Sequence, residues 1–157
     1  MWSRYLCRGK DKDDKNWYEG YYLQQHDVTY GCMPSDNIAE VKRLEEENTH
    51  HYIVFERMED WNLPNRHYRA EVLPETLCQC TGVPDKNGKL IYDKDVVKCG
   101  DTIAVVFWNA TYASWRLASM EWACPHFFDV ASVHENYEVI GNIIDNPELL
   151  GVRVWRD

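Results

Sequence analysis

Nowhere in this chain of 157 residues does an unbroken apolar run approach the ~20 residues that a membrane-spanning helix requires. An apolar leader is missing as well, because Arg4, Arg8, Lys10 and a charged loop interrupt the N-terminal stretch. These two absences make a cytoplasmic protein with no membrane partner the expectation. Glycine is sparse at 8 residues, and Gly82 and Gly88 fall into neither a Gly-x-Gly-x-x-Gly nor a Walker arrangement, which excludes the familiar phosphate loops. Basic residues are short: 17 Lys and Arg stand against 26 Asp and Glu, a net charge of −9. Proteins held to DNA or RNA by general phosphate attraction need the opposite balance, so non-specific nucleic-acid binding is not expected. Neither repeat nor linker nor low-complexity segment interrupts the chain, and its length suits a single domain, 1–157, that buries roughly 70% of its unfolded surface.

Catalytic signatures are equally scarce. No Gly-x-Ser-x-Gly or Cys-with-His frame accompanies the histidines at 26, 50, 51, 67, 126 and 134. His50 and His51 follow a helical segment, where a cation near the C-terminus is mildly favourable. The carboxylates Asp93, Asp95 and Asp101 bracket a short Val-Val strand, a position that suits turn-forming Asp better than acid–base catalysis. Six cysteines raise the question of zinc or disulfides. Cys78-Gln-Cys80 with Cys99, Cys124 and His126 lacks the paired Cys-x₂₋₄-Cys spacing of structural zinc sites. Cys7, Cys78, Cys80 and Cys99 lie in or beside apolar segments, where a free thiol behaves as a small hydrophobe, and nothing indicates an oxidising compartment. Hence no metal, no cofactor and no enzymatic activity are expected.

What the chain does have is aromatic bulk: seven Trp and ten Tyr in a 13% aromatic composition. Short alternating segments recur along it. Residues 2–8 and Trp17–Gln25 read as strands flanking the charged turn Lys10–Asn16, and Val28–Met33 as a third short strand ended by Pro34. Ser35–Asn48 carries the convincing helix pattern, with Asn37 and Glu40 placed as a capping box and Ile38, Val41 and Leu44 forming a narrow apolar stripe. Tyr52–Met58 and His67–Leu73 are strands, and Pro74–Leu77 is one helical turn. Asp85-Lys86-Asn87-Gly88 is a tight turn, since Asn-Gly tolerates positive φ. Strands then follow at Lys89–Tyr92, Asp95–Cys99, Thr102–Asn109, Trp115–Met120 and Tyr137–Ile144. The apolar run Ala104–Trp108 predicts a strand covered on both faces. Asn109–Ser114 reads as a hairpin loop, and Asp145–Leu150 as a short terminal helix or turn. Many short strands with turn signals between them predict a mainly β fold, curled into a barrel or roll, with one or two short helices.

Three blocks in order carry a family resemblance. Tyr5-Leu-Cys-Arg-Gly-Lys10 leads to Asn16-Trp-Tyr-Glu-Gly-Tyr21. Pro74-Glu-Thr-Leu-Cys-Gln-Cys-Thr-Gly82 runs into residues 83–98, and Tyr137-Glu-Val-Ile-Gly-Asn142 into Asn146-Pro-Glu-Leu-Leu150. Together they resemble the YopX family, small proteins encoded by bacteriophages and prophages. The resemblance implies a small SH3-like barrel in a bacterial host cell and brings no established biochemical activity with it. Lys94 stands where the family usually has Gly, which is costly if that position needs positive φ. Cys7 and Cys80 stand where aromatic residues are common. Residues 34–67 show no match and read as a member-specific insertion carrying the helix.

Three functional readings follow. The first is a non-catalytic module that binds a protein partner or itself, with Trp61 and Trp155 as candidate exposed anchors. A nucleic-acid accessory role rests on fold analogy and the basic bias of Arg4, Arg8, Lys10, Lys12 and Lys15. Finally, residues 36–60 hold eight acids and three bases, a local net of −5, so Glu45, Glu46 and Glu47 could mimic DNA toward a host protein. A solvated helix face accounts for the same acids.

Overall fold

The computed structural model describes residues 5–27, 38–119, 126–127 and 135–150. The chain divides into two compact units, one spanning Cys7–Leu77 and the other built from the residues up to Leu6 together with those from Cys78 onward.

In the N-terminal unit, β1 (Leu6–Lys10), β2 (Trp17–His26), β3 (Thr49–Arg57) and β4 (Arg66–Glu71) lie side by side in the order β4-β3-β2-β1. The charged turn between β1 and β2 is closed by side chains. Asp11 Oδ1 accepts the N–H groups of Asp13 and Asp14 at 2.8 and 3.0 Å, and Asp14 Oδ1 accepts that of Asn16 at 2.8 Å. Antiparallel pairing of β2 with β3 runs from Tyr21↔Val54 to His26↔Thr49, and of β3 with β4 from Tyr52↔Glu71 to Arg57↔Arg66. Because side chains alternate along a strand, one face collects Ile53, Ala70 and Val72, with Cys7, Tyr18, Phe55 and Leu77 packed around them. Gly20 sits where this packing admits no side chain, since a Cβ there would stand 2.1 Å from the Val54 carbonyl oxygen.

Helix α1 (Ile38–Glu47) leads into β3. Its Val41 and Leu44 are half-buried and the rest of its described side chains exposed, as the narrow stripe predicts. Asn48 ends it by donating both its backbone N–H and its side-chain amide to the Leu44 carbonyl, at 3.1 and 2.7 Å. The expected strand Val28–Met33 and the expected cap at Asn37 lie outside the described residues.

The C-terminal unit begins with β5 (Cys78–Pro84) paired to β6 (Leu90–Tyr92), with an irregular register between Cys80↔Tyr92 and Pro84↔Leu90. A five-stranded antiparallel sheet follows: β7 (Asp95–Cys99), β8 (Thr102–Asn109), β9 (Ser114–Ala118), β10 (His126–Phe127) and β11 (Glu138–Asn142), ordered β10-β9-β8-β7-β11. Val83, Ile91, Val97, Ala104, Val106 and Leu117 form its core. Short 3₁₀ turns at Pro74–Thr76 and Pro147–Leu150 occupy the places where helical turns are expected.

The mainly β expectation stands, but the closed barrel does not. Among the described residues β10 and β11 end the five-stranded sheet and are not paired with each other, so the sheet stays open. Two more differences are instructive. Residues 78–84 form a strand despite Gly82 and Pro84, and the first strand runs on to Lys10, while the expected strand's residues 2–4 lie outside the described residues. The strand covered on both faces is β7, whose Asp95, Val96 and Val97 are completely buried between two neighbours; β8 carries Trp108 48% exposed.

Candidate functional site

The sheet of the N-terminal unit has a second face, opposite Ile53. Tyr21 and Leu23 of β2 and Tyr52 and Val54 of β3 point to it, paired as Tyr21↔Val54 and Leu23↔Tyr52. Tyr21 is 59% and Leu23 43% exposed, while Tyr52 and Val54 are half-buried. Arg69 of β4 lays its guanidinium over the Tyr52 ring at 4.7 Å and donates to Gln25 Oε1 at 3.1 Å. The His50 ring stacks on the other side of the patch, 6.1 Å from Tyr52. On β1, Arg8 and Lys10 stand over Trp17 at 4.9 and 5.6 Å. Cations on ring faces hold aromatic surface in place while leaving it accessible.

At the end of this face His50 bridges two strands. Its Nδ1 lies 2.9 Å from Glu71 Oε1 and its Nε2 3.0 Å from Asp27 Oδ2. Ionised carboxylates only accept, so both ring nitrogens must donate, which the imidazolium alone can do. The Glu71 hydrogen bond is the main cause that raises the His50 pKa above its usual value, and the same contact, aided by Lys12 at 3.1 Å, lowers that of Glu71. With both nitrogens committed, His50 has no free position for proton transfer to a substrate. On the inner face, His51 Nδ1 shares a 2.7 Å hydrogen bond with the Tyr22 hydroxyl. The two histidines thus open β3, two residues after α1 ends, and face opposite ways. Lys12, Gln24, Glu46, Thr49, His51 and Glu71 are among the residues lining a cleft of about 470 Å³.

The other expected positions are scattered. Glu45, Glu46 and Glu47 are exposed on the last turn of α1. Trp61 is 84% exposed beside Asn62, whose φ of +70° makes the loop between β3 and β4 turn sharply. Trp155 and Cys124 lie outside the described residues. Cys78 and Cys80 are buried and outside any disulfide, and Cys7 and Cys99 are half-buried. Among the described residues, no three His, Cys, Asp or Glu side chains gather as a metal site would need, and no helix is long and apolar enough to cross a membrane.

The carboxylates of the C-terminal unit serve the backbone. Asp85 is 1% exposed; its Oδ1 accepts N–H bonds from Asn87 and Lys89 at 2.8 and 2.9 Å, and its Oδ2 one from Val139 at 3.0 Å. Burial opposes ionisation, but the three amides, Val139 foremost, outweigh it and hold the Asp85 pKa below the ordinary carboxylate value. Asp95 is fully buried and accepts the Tyr92 N–H at 2.8 Å. Asp93, half-buried in the same turn, is pushed up chiefly by desolvation. Asp101 is exposed in the β7–β8 turn.

The family model described as YopX protein matches residues 7–151. The chain belongs to the YopX family. No curated protein matches it. The segments that carry the YopX resemblance have visible structural work. Asp85 and Gly88 close the turn of the central block through the Gly88 N–H to Asp85 carbonyl bond of 2.9 Å. In the last block, a Cβ on Gly141 would stand 2.6 Å from Asn146 Oδ1 and 2.8 Å from Leu149 Cδ1. The neighbouring Asn142 Oδ1 accepts the N–H groups of Ile144 and Asp145 at 3.0 and 2.8 Å. Lys94, where YopX proteins usually have Gly, adopts φ +65°, the left-handed conformation the departure predicts. It is fixed there by its N–H on the Val106 carbonyl and its carbonyl on the Ile143 N–H, at 2.9 and 3.0 Å.

The face of Tyr21, Leu23, Tyr52 and Val54 escaped the sequence reading. Its signal was present in Tyr21-Tyr22-Leu23, because three large apolar residues in a row on one strand cannot all face one core. The bridge of His50 to Asp27 and Glu71 had no such signal, since its members are 23 and 21 positions apart.

Proposed function

We propose that this YopX-family chain is a non-catalytic protein-interaction module of phage or prophage origin, acting in the bacterial cytoplasm. One observation carries the reading: a sheet face of the N-terminal unit displays Tyr21 and Leu23 to solvent beside Tyr52 and Val54. Exposed aromatic and aliphatic side chains on a rigid sheet are the usual anchors of protein interfaces. The site chemistry supports a binding role over catalysis, since His50, Asp85 and Asp95 are spent on holding strands and turns.

The test is capture of partners by tagged protein from nuclease-treated host lysate, in parallel with a Tyr21→Ser, Leu23→Ser double variant. A partner kept after nuclease and lost with the double variant supports the reading. Identical partner sets for the two proteins sink it, and partners that vanish with nuclease favour nucleic acid instead.

A further inference from the structure

The edge of the N-terminal sheet carries a more specific message than its face. In an antiparallel pair, residues alternate between those that bond to the neighbouring strand and those whose N–H and C=O point away from it. The Val72 N–H donates to the His51 carbonyl at 2.8 Å, which fixes the phase. With the register Ile53↔Ala70, Val54↔Arg69, Phe55↔Tyr68 and Glu56↔His67, the bonded positions of β4 are Ala70, Tyr68 and Arg66. His67, Arg69 and Glu71 therefore turn their backbone groups outward. The Glu71 carbonyl confirms this by accepting the Lys12 N–H at 2.8 Å. One end of the edge is thus closed by the β1–β2 turn, while among the described residues nothing pairs with it at His67 and Arg69 and no strand lies beyond β4.

Natural edge strands are commonly guarded by charged side chains that repel an incoming strand. Here the guards are drawn back onto their own chain. Arg66 Nε lies 3.2 Å from Glu59, His67 Nε2 3.2 Å from Glu56, and Arg69 is folded over Tyr52. In a chain of net charge −9 this strand is locally balanced, so neither a strongly basic nor a strongly acidic partner is its electrostatic match. A strand of the same composition is.

We propose that β4 pairs antiparallel with β4 of a second copy about a two-fold axis at Tyr68, joining two N-terminal sheets into one. The register follows from the phase. His67 exchanges its N–H and C=O with the partner's Arg69, and Arg69 does so with the partner's His67, which satisfies the four open groups on each copy. Tyr68, already stacked on Phe55 with ring centroids 6.1 Å apart, meets the partner's Tyr68 as a cross-strand aromatic pair. On the opposite face His67 stands across from the partner's Arg69, each side chain held back on its own copy by Glu56 and Tyr52. The exposed Tyr21 and Leu23 and the half-buried Tyr52 and Val54 of both copies then belong to one continuous surface. The assignment rests on the interaction reading above and names an occupant for it.

Sedimentation velocity over a wide concentration range, combined with amide hydrogen exchange, tests it. The expected result is a concentration-dependent dimer in which the His67 and Arg69 amides slow with association, while those of Tyr68 and Ala70, bonded to β3, are protected throughout. His67→Pro removes an outward donor from an edge position that tolerates proline, and should weaken the dimer roughly tenfold or more. If His67→Pro fails to fold, the exchange pattern of the unaltered protein still decides. A monomer at every concentration overturns the proposal and leaves the edge to a foreign strand, with the lysate experiment still able to support an interaction role. A dimer in which the His67 and Arg69 amides stay fast, or one that His67→Pro leaves unchanged, overturns it too.

Discussion

β11 in the C-terminal unit and β4 in the N-terminal unit each end a sheet among the described residues, yet the chain finishes them in opposite ways. Beside β11 runs the turn at Asp85, whose carboxylate takes the Val139 N–H while the Lys86 N–H takes the Tyr137 carbonyl at 2.9 Å. A register irregularity between Val139 and Gly141 further spoils that edge as a template. Among the described residues, β4 has no such cover at His67 and Arg69. The interiors differ in the same sense. Behind β11 a cluster of six buried side chains packs, whereas Ile53, Ala70 and Val72 form the small buried centre of the N-terminal sheet. In the C-terminal unit Asp85 and Asp95 are buried on backbone amides, whereas in the N-terminal unit the carboxylates that accept backbone amides, Asp11 and Asp14, stand in an exposed turn. The difference separates a stable frame from a surface available for contact.

Asp85→Ala should break the comparison most severely. It strands three amides that now share one buried charge, at a cost of about 3–5 kcal/mol, or on the order of 10 °C in Tm for a chain of this size. It also strips β11 of its cover, so aggregation should rise along with the thermal loss. The pH dependence has a definite sign. A carboxyl whose folded pKa is depressed contributes fully above the ordinary value near 3.8 and loses its contribution as pH falls through the lowered one. Acid unfolding of Asp85→Asn should be correspondingly flatter.

Ile53→Ala should follow, at about 2–4 kcal/mol, because Ile53 is completely buried at the centre of the smaller cluster. Hydrogen exchange should show the loss first in β2, β3 and β4. Equal loss in β7 and β8 would remove the contrast between the units. Lys94→Gly works in the other direction. Relief of the left-handed strain, partly offset by the freer unfolded chain, should stabilise by roughly 0.5–1 kcal/mol, read as a rise in Tm of a few degrees.

The smallest effect belongs to His50→Gln. Since the folded pKa of His50 is raised above 6.5, its contribution is complete below that value and fades as pH climbs through the raised one. The variant should therefore flatten the fall in exchange protection of the β2–β4 region above neutral pH. An NMR titration of His50 with a midpoint at or below 6.5 would contradict the double carboxylate bridge.

Local chemistry was readable in the sequence and distant pairing was not. Asp95–Cys99 and Thr102–Asn109 emerge as expected because Val-Val and Ala-Val-Val-Phe carry strand preference within themselves. The turn at Asp85 was legible for the same reason, being decided by a few adjacent residues, whereas the left-handed conformation at Lys94 was legible only through the family resemblance. β5 went unseen because Gly82 and Pro84 speak against a strand one residue at a time, whereas pairing with β6 decides the matter. The open sheet was misread as a barrel because alternation reveals faces, and closure depends on which strands become neighbours. For the candidate site, Trp61 was foreseen as exposed, but the open edge at His67 and Arg69 depends on hydrogen-bond phase, which no sequence pattern records.

The bond from Asp85 to Val139 joins positions 54 residues apart. During synthesis the N-terminal unit is contiguous from Cys7 to Leu77 and can assemble as soon as that stretch has left the ribosome. The knot at Asp85 must wait for almost the whole polypeptide, so through much of translation Asp85 lacks its Val139 partner and β11 does not yet exist. The part of the molecule sealed by this bond is therefore the last to close, after the stretch that carries β4 has already been made.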